Sequence, residues 1–363
     1  MMRQKSKRPL AGVLLALILA AGWFVTLHAA PGESDSGVLI TEYPIPFAGS
    51  EPRNLRVTSS GKIWFTMYGA SAVGLLQVTP TGDYSFTRYD TPTPESRPYD
   101  LVVQDGLVWF TEYAGNNLAR LDTTTGEITE FPLPTPDSHP TGIDISSTGR
   151  VWFVTESGDT IGYFDPDVGE FTEFTHPNLV GAQLSDVAVF DNNSIWVTAP
   201  GRQEIFNYAP TYNLLIPLYP GTGSQPNQVA LEGNNPWITD KGNQRIGRYA
   251  PGTLTFWRWY EINSSNVGLA GIAYRSIGNN RQVWFTEQNS NRVGQLVVDG
   301  NTGYVTRFWR QTLPTLASQP AGIDIDVDGT AWIAESQGNA IAAWRSPYYD
   351  LPIEVFSPLF TDG

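Results

Sequence analysis

The feature that most constrains this chain is a tryptophan that returns about every forty-four residues. Trp64, Trp109, Trp152, Trp196, Trp237, Trp284 and Trp332 are spaced 41 to 48 residues apart, each followed by apolar and Thr or acidic residues. Upstream of each lies a Pro-x-Gly-Ile-like segment: Pro52–Leu55, Pro98–Leu101, Pro140–Ile143, Leu184–Val187, Pro226–Val229, Leu269–Ile272 and Pro320–Ile323. Several copies continue into an Ile-Gly-Arg-like stretch, clearest at Ile161-Gly162-Tyr163 and Ile246-Gly247-Arg248. A short repeat cannot bury its own apolar face, so neighbouring copies must stack on one another.

Within one unit the apolar residues fall in short β-branched and aromatic runs broken by Ser-Thr-Gly turns, and no 3.6-residue stripe is sustained. Four short strands in a unit of this length are the pattern of a propeller blade. The expected fold is therefore all-β, a seven-bladed β-propeller of four-stranded antiparallel blades over residues 39–358, monomeric, with the repeating tryptophans packed between blades. Ile40-Thr41-Glu42-Tyr43-Pro44 matches the later segment Ile128-Thr129-Glu130-Phe131-Pro132 but precedes the first unit. It is expected to pair into the last blade and remove an open edge. Leu351–Pro358 also reads as an outer strand and is the alternative closure.

Composition agrees. Charged residues are 16% against an ordinary ~25%, whereas 12 tryptophans, 35 glycines and 27 prolines favour a core-forming, turn-rich chain. There is no cysteine, which excludes disulfides, a thiolate nucleophile and Cys-ligated metal. A net charge of −14 argues against nucleic acid, whose phosphates the chain would repel. Arg3, Lys5, Lys7 and Arg8 precede an uncharged apolar run from Leu10 to Leu27, the layout of a signal peptide or an N-terminal membrane anchor over residues 1–30. Residues 31–38 read as a linker and 359–363 as a tail, and the propeller is expected outside the cytoplasm, either secreted or anchored at the outer face of the membrane.

With these motifs in view, the sequence resembles the streptogramin B lyase (virginiamycin B lyase) family. The resemblance rests on Trp109-Phe110-Thr111-Glu112, Trp284-Phe285-Thr286-Glu287, Ile128 to Pro136 and the Pro-x-Gly-Ile copies, and covers residues 39 to 350. It implies a seven-bladed propeller and, for active members, metal-assisted elimination that opens a cyclic depsipeptide at its ester. It also implies histidines at the variable place of Pro-x-Gly-Ile in the last two repeats, a Glu just before that proline, and a Glu ending the next strand. Here the matching residues are Ala270 and Ala321, Gln319, and Glu335 as the loose match.

That departure bears on the chemistry. Proton abstraction beside a carbonyl needs a base that is free near neutral pH, which histidine supplies and alanine cannot. The catalytic candidates left are Glu51, before the first Pro-x segment, and His139, before the third; His176, in an outer-strand exit loop, is expected to be inert. Arg53, Tyr99, Asp100, Thr141 and Asn227 are expected to form a ligand-binding rim at the channel mouth. Glu112, Glu156, Asp240, Glu287 and Glu335 are the metal candidates, for magnesium or calcium, if strand-end acids converge there. Asp324-x-Asp326-x-Asp328-Gly329 followed by Glu335 fits calcium-loop spacing, but its flanks read as strands and Asp328-Gly329 as a hairpin turn. Two functions remain: a binding module for a small molecule, peptide, glycan or partner protein, or a carbon–oxygen lyase of the streptogramin type.

Overall fold

The computed structural model describes residues 40–250, 257–262 and 264–346, together with the backbone of a strand at Trp23–Leu27. Seven antiparallel sheets of four strands follow one another around a ring. Blade 1 spans 52–90, blade 2 98–132, blade 3 140–175, blade 4 186–218, blade 5 226–262 and blade 6 269–312; blade 7 takes three strands from 320–345. Each blade's innermost strand contacts the next, and that of blade 7 meets that of blade 1. Among the described residues, helix is limited to three single 3₁₀ turns at Pro177–Leu179, Pro200–Arg202 and Pro210–Tyr212.

The fourth strand of blade 7 is Ile40–Pro44, paired from Ile40 against Trp344 to Pro44 against Ala340. Asn339 holds the strand's exit, donating through Nδ2 to the carbonyls of Ile45 (3.0 Å) and Phe47 (3.1 Å) and accepting from the Ser50 amide (2.9 Å). The ring is thus closed by the N-terminal strand, as its sequence match implied; the alternative, Leu351–Pro358, lies outside the described residues. Trp23–Leu27, at the end of the N-terminal apolar run, adds a parallel fifth strand to blade 5 beside Trp257–Ile262. The rest of the expected signal or anchor, and the linker, lie outside the described residues. Among the described residues no helix is long and apolar enough to cross a membrane.

The repeating tryptophans are all buried, and each packs against the blade that follows. Trp64 meets Leu101 and Phe110 of blade 2, Trp109 meets Ile143 and Phe153 of blade 3, and Trp152 meets Leu184 and Ile195 of blade 4. Trp196, Trp237 and Trp284 repeat the contact into blades 5, 6 and 7, and Trp332 reaches Leu55 and Phe65 of blade 1. The core is therefore seven wedges between blades. A buried indole removes roughly 200 Å² from water, about 5 kcal/mol at ~25 cal/mol per Å² as an upper figure. The glycine of the Ile-Gly-Arg stretch belongs to the same wedge: a Cβ at Gly74 or Gly294 would run into the ring of Phe65 or Phe285.

The threonine two places after the tryptophan is a second staple. Thr111 Oγ1 donates to the Thr141 carbonyl of the next blade (2.6 Å) and accepts from the Asp100 amide (3.2 Å). Thr198, Thr239 and Thr286 make the same pair of bonds, reaching Asn227, Ala270 and Ala321. Where blade 3 has Val154 instead, Thr141 Oγ1 makes the link by donating to the Leu184 carbonyl (2.9 Å). These bonds fix the height of each innermost strand relative to its neighbour, and so the level at which its first residues reach the mouth.

Candidate functional site

Two residues per blade face the mouth, and the pairing of strands shows which. The start of each innermost strand lies opposite the end of the second: Pro98 against Glu112, Pro226 against Asp240, Leu269 against Glu287, Pro320 against Glu335. Both ends open on one rim, as expected. The second residue of each Pro-x-Gly-Ile-like segment, which follows leucine in blades 4 and 6, supplies a first ring: Arg53, Tyr99, Thr141, Ser185, Asn227, Ala270 and Ala321. The second ring comes from the residue four places after each tryptophan, among them Tyr68, Tyr113, Glu156, Lys241 and Gln288. Its height is set by backbone bonds to the residue before the opposing inner strand, such as Tyr113 N to Arg97 O, Glu156 N to His139 O and Lys241 N to Gln225 O.

Two adjoining cavities of about 170 and 340 Å³ open between these rings, both lined by Arg53, Tyr99, Ser185, Asn227 and Lys241. The smaller reaches Ala270, Ala321 and Gln288, the larger Thr141 and Glu156. Along blades 1 to 3 an aromatic series runs back from Tyr99, which alone of its rings lines the cavities. The Arg53 guanidinium lies 3.6 Å from the centre of the Tyr99 ring, Tyr99 stacks on Tyr113 at 5.6 Å, and Tyr113 stacks on His139 at 4.7 Å. Tyr68 adds an edge to Tyr99 and Tyr113. The Tyr113 hydroxyl donates to Glu156 Oε2 (2.5 Å), and with burial first and that carboxylate second its pKa is driven well up. Burial raises Tyr99 as well, against the pull of Arg53.

Below the mouth, acids and amides tie the channel wall. Asp100 accepts from the amides of Leu101 (2.7 Å) and Ile143 (3.3 Å) and from Asn54 Nδ2 (2.5 Å); Asp186 accepts from Val187 and Val229, both 2.9 Å. Asp144 and Asp324 span their own blade and the next in the same way. Burial raises all four carboxyls, Asp144 to about 6, and Arg56 at their centre opposes the rise. Asp100, expected on the rim, is therefore a wall-bridging residue that is 2% exposed. Thr141 is likewise buried, with its hydroxyl committed to blade 4.

The expected convergence of strand-end acids is not found. Glu112, Asp240, Glu287 and Glu335 lie three places after their tryptophans and are fully buried inside their blades. Side chains alternate along a strand, so a shift of one residue exchanges mouth for interior. Glu112 accepts from Asn117 (2.8 Å), Asp240 pairs with Arg245 (2.9 Å), and Arg310 grips both oxygens of Glu287. Burial lifts Glu112 to about 7, the Asn117 bond opposing and Glu130 adding to it. Glu335 has no hydrogen-bond partner on either oxygen and is pushed to about 8, by burial first and then by the charge of Glu42. Glu156 alone of the five lines a cavity, because it sits one residue further on, in the second ring. Among the described residues no three His, Asp or Glu side chains gather as a metal set.

The two catalytic candidates fare no better. Glu51 lines neither cavity, and His139 is engaged as a stacking partner of Tyr113, with Nδ1 2.9 Å from Ser157 Oγ. The calcium-loop spacing also dissolves: Asp326 caps its hairpin by accepting from the amides of Asp328 and Thr330 and from Trp332 Nε1, while Glu335 is buried elsewhere. Sequence reading missed Tyr113, Lys241 and Gln288 as mouth residues. Their common place four after the tryptophan was the signal available.

The virginiamycin B lyase family model matches residues 38–343. The chain belongs to that family. Among solved structures it is similar to a streptogramin B lyase, 27% identical with TM-score 0.74, covering 85% of this chain and 97% of that one. Virginiamycin B lyase from Staphylococcus aureus is 25% identical with TM-score 0.74 over 85% of this chain and all of that one, and so is its catalytically inactive His→Ala variant with quinupristin. An extracellular domain of a hybrid two-component system from B. thetaiotaomicron, 14% identical with TM-score 0.62 over 85% of this chain and 42% of that one, shares the fold alone. No curated protein matches the chain.

Proposed function

We propose that this propeller is an extracytoplasmic binding module that holds its ligand at the mouth and does not perform the lyase reaction. The observation that carries the reading is the floor of the smaller cavity. Ala270 and Ala321 stand where the family resemblance calls for histidines, and Gln319 stands where it calls for Glu. A methyl group neither takes a proton nor ligates a metal, and a general base ordinarily contributes ~10²–10⁴-fold in rate. The residues present also do not suit a divalent cation: Arg53 and Lys241 line the same space, its two acids, Asp100 and Asp186, hold their oxygens on backbone N–H groups, and among the described residues no three acids or histidines gather. We therefore derive no step through a metal. Tyr99, which lines both cavities, and the amides of Asn227, Gln228 and Gln288 instead offer an aromatic edge and hydrogen-bonding groups to a small molecule, a peptide or a partner protein. The His→Ala family variant, catalytically inactive and solved with quinupristin, supports a mouth that can serve binding without turnover.

Incubation of the purified full chain with a type B streptogramin and magnesium, followed by mass and ring-opening analysis, tests the reading. The expected result is an intact ring. Metal-dependent linearisation that is lost in His139→Ala or Glu335→Gln would overturn it. For any ligand found by screening, Tyr99→Ala should weaken binding by about tenfold or more, the scale of removing an aromatic anchor.

A further inference from the structure

The mouth differs from an ordinary polar cleft in its charge. In a chain of net charge −14, the two formal charges common to both cavities are cations, Arg53 and Lys241. Neither forms an ion pair among the described residues, in contrast to Arg245 and Arg310, which are locked on Asp240 and Glu287. Arg53 spends its flat face on Tyr99 and on the edge of the Tyr68 cluster. Stacking of that kind leaves the N–H edge of a guanidinium free for a planar, two-oxygen acceptor. The acids in the smaller cavity, Asp100 and Asp186, hold both oxygens on backbone N–H groups, and neither forms an ion pair with Arg53 or Lys241 among the described residues. Gln228 and Gln288 add neutral polar groups around the same space, while Ser185 donates to Asn227 Oδ1 (3.3 Å) and Asn227 to the Ala270 carbonyl (3.2 Å). The two positions that would otherwise crowd the floor are the small Ala270 and Ala321.

Resting on the binding reading above, we infer that the mouth receives the free carboxylate of its ligand between Arg53 and Lys241, with the neighbouring part of the ligand against the edge of Tyr99 that lines both cavities. The site has exchanged the means of holding a cation for the means of holding an anion. A guanidinium edge fits two oxygens of a carboxylate or of a phosphate alike, so the phosphate arm of the test below separates the two anions.

The probe is N-acetyl-Gly-Phe with a free C-terminus, titrated into the full chain at low salt beside its C-terminal amide and inorganic phosphate. The free acid should bind about tenfold or more tighter than the amide, as expected for a charge-assisted contact, and the difference should shrink as salt rises. Arg53→Gln and Lys241→Gln should each erase most of that difference. Arg202→Gln, in a surface pair with Glu204 on blade 4, should leave it unchanged. Both mouth cations lack an internal ion pair, so unchanged thermal unfolding of the variants separates lost binding from lost folding. Equal binding of acid and amide, tighter binding of phosphate, or no saturable binding of the acid would each overturn the carboxylate assignment. Equal binding that is still lost in Tyr99→Ala would remove the carboxylate and leave the binding module standing, whereas streptogramin turnover would remove the module itself.

Discussion

Glu335→Gln should stabilise this protein, and more so as pH rises. Glu335 is fully buried in the closing blade, has no partner on either oxygen, and lies near Glu42 of the N-terminal strand. Glu42 is itself committed, accepting from Thr315 N and Oγ1 at 2.8 Å each. Burial and that neighbouring charge raise Glu335 from an ordinary 4.5 to about 8. A carboxyl raised on folding contributes its full stability below the unfolded pKa and loses it as pH climbs through the folded one. At about 1.4 kcal/mol per pH unit, proton uptake on folding costs on the order of 3 kcal/mol at pH 7 and about 5 kcal/mol above pH 9. An amide has no proton to take up, and its N–H can point at Glu42. Allowing about 1 kcal/mol for an imperfect fit of the amide, a gain of about 2 kcal/mol is expected at pH 7 and about 3 at pH 8, turning to a loss of about 1 kcal/mol near pH 4. Urea unfolding of wild type and variant from pH 4 to 9 measures both the gain and its slope. If the variant is weaker at pH 8, or if the two stability curves run parallel, Glu335 is not held protonated and the account of the closing blade fails.

Thr286→Val keeps shape but removes the hydroxyl that accepts from Gly271 N and donates to Ala321 O; a loss of about 1–3 kcal/mol is expected by chemical unfolding. Trp109→Ala, at the wedge between blades 2 and 3, should cost about 3–5 kcal/mol by the same measurement, whereas a ligand-stacking tryptophan would affect binding and spare stability. Removing Ile40–Pro44 exposes the strand Ala340–Arg345 and strips Tyr43 from its stack on Trp332; the truncated chain should self-associate in sedimentation, and a monomer of unchanged thermal stability would refute closure by this strand.

The ring, its blade count and its closure were legible because each leaves a repeated trace. Seven tryptophans mark seven wedges, and the unmatched Ile40–Pro44 marks the donated strand. The site was legible only in part, for a reason of geometry. Motif reading fastened on the acid three places after each tryptophan because it recurs, yet recurrence there reflects a job every blade shares, tying the strand end into its own blade, as Glu112 does with Asn117 and Asp240 with Arg245. The next position varies from blade to blade, Tyr68, Tyr113, Glu156, Lys241, Gln288, and looks uninformative in a repeat alignment.

That contrast carries a general consequence for how this propeller can change function. Positions that repeat are spent on the scaffold: the tryptophan on the wedge, the threonine on the staple to the next inner strand, the acid on the blade interior. Apart from Thr141, which carries the staple to blade 4, the residue after the proline and the residue four after the tryptophan make few of those contacts, so substitution there alters the mouth at little structural cost. Ala270, Ala321 and Lys241 all occupy such positions, where histidine would give a base and a metal ligand, and where alanine beside two unpaired cations gives a receptor for an anion. One further test separates scaffold from site within a single blade. In blade 5, Lys241→Gln should abolish carboxylate preference and leave unfolding unchanged. Asp240→Asn, one residue earlier, should do the reverse. It strips Arg245, 8% exposed, of its buried partner at 2.9 Å, and breaking such a pair ordinarily costs about 3–5 kcal/mol. If the two neighbours instead shift binding and stability together, the division between mouth and interior at this strand end is wrong, and with it the assignment of the second ring.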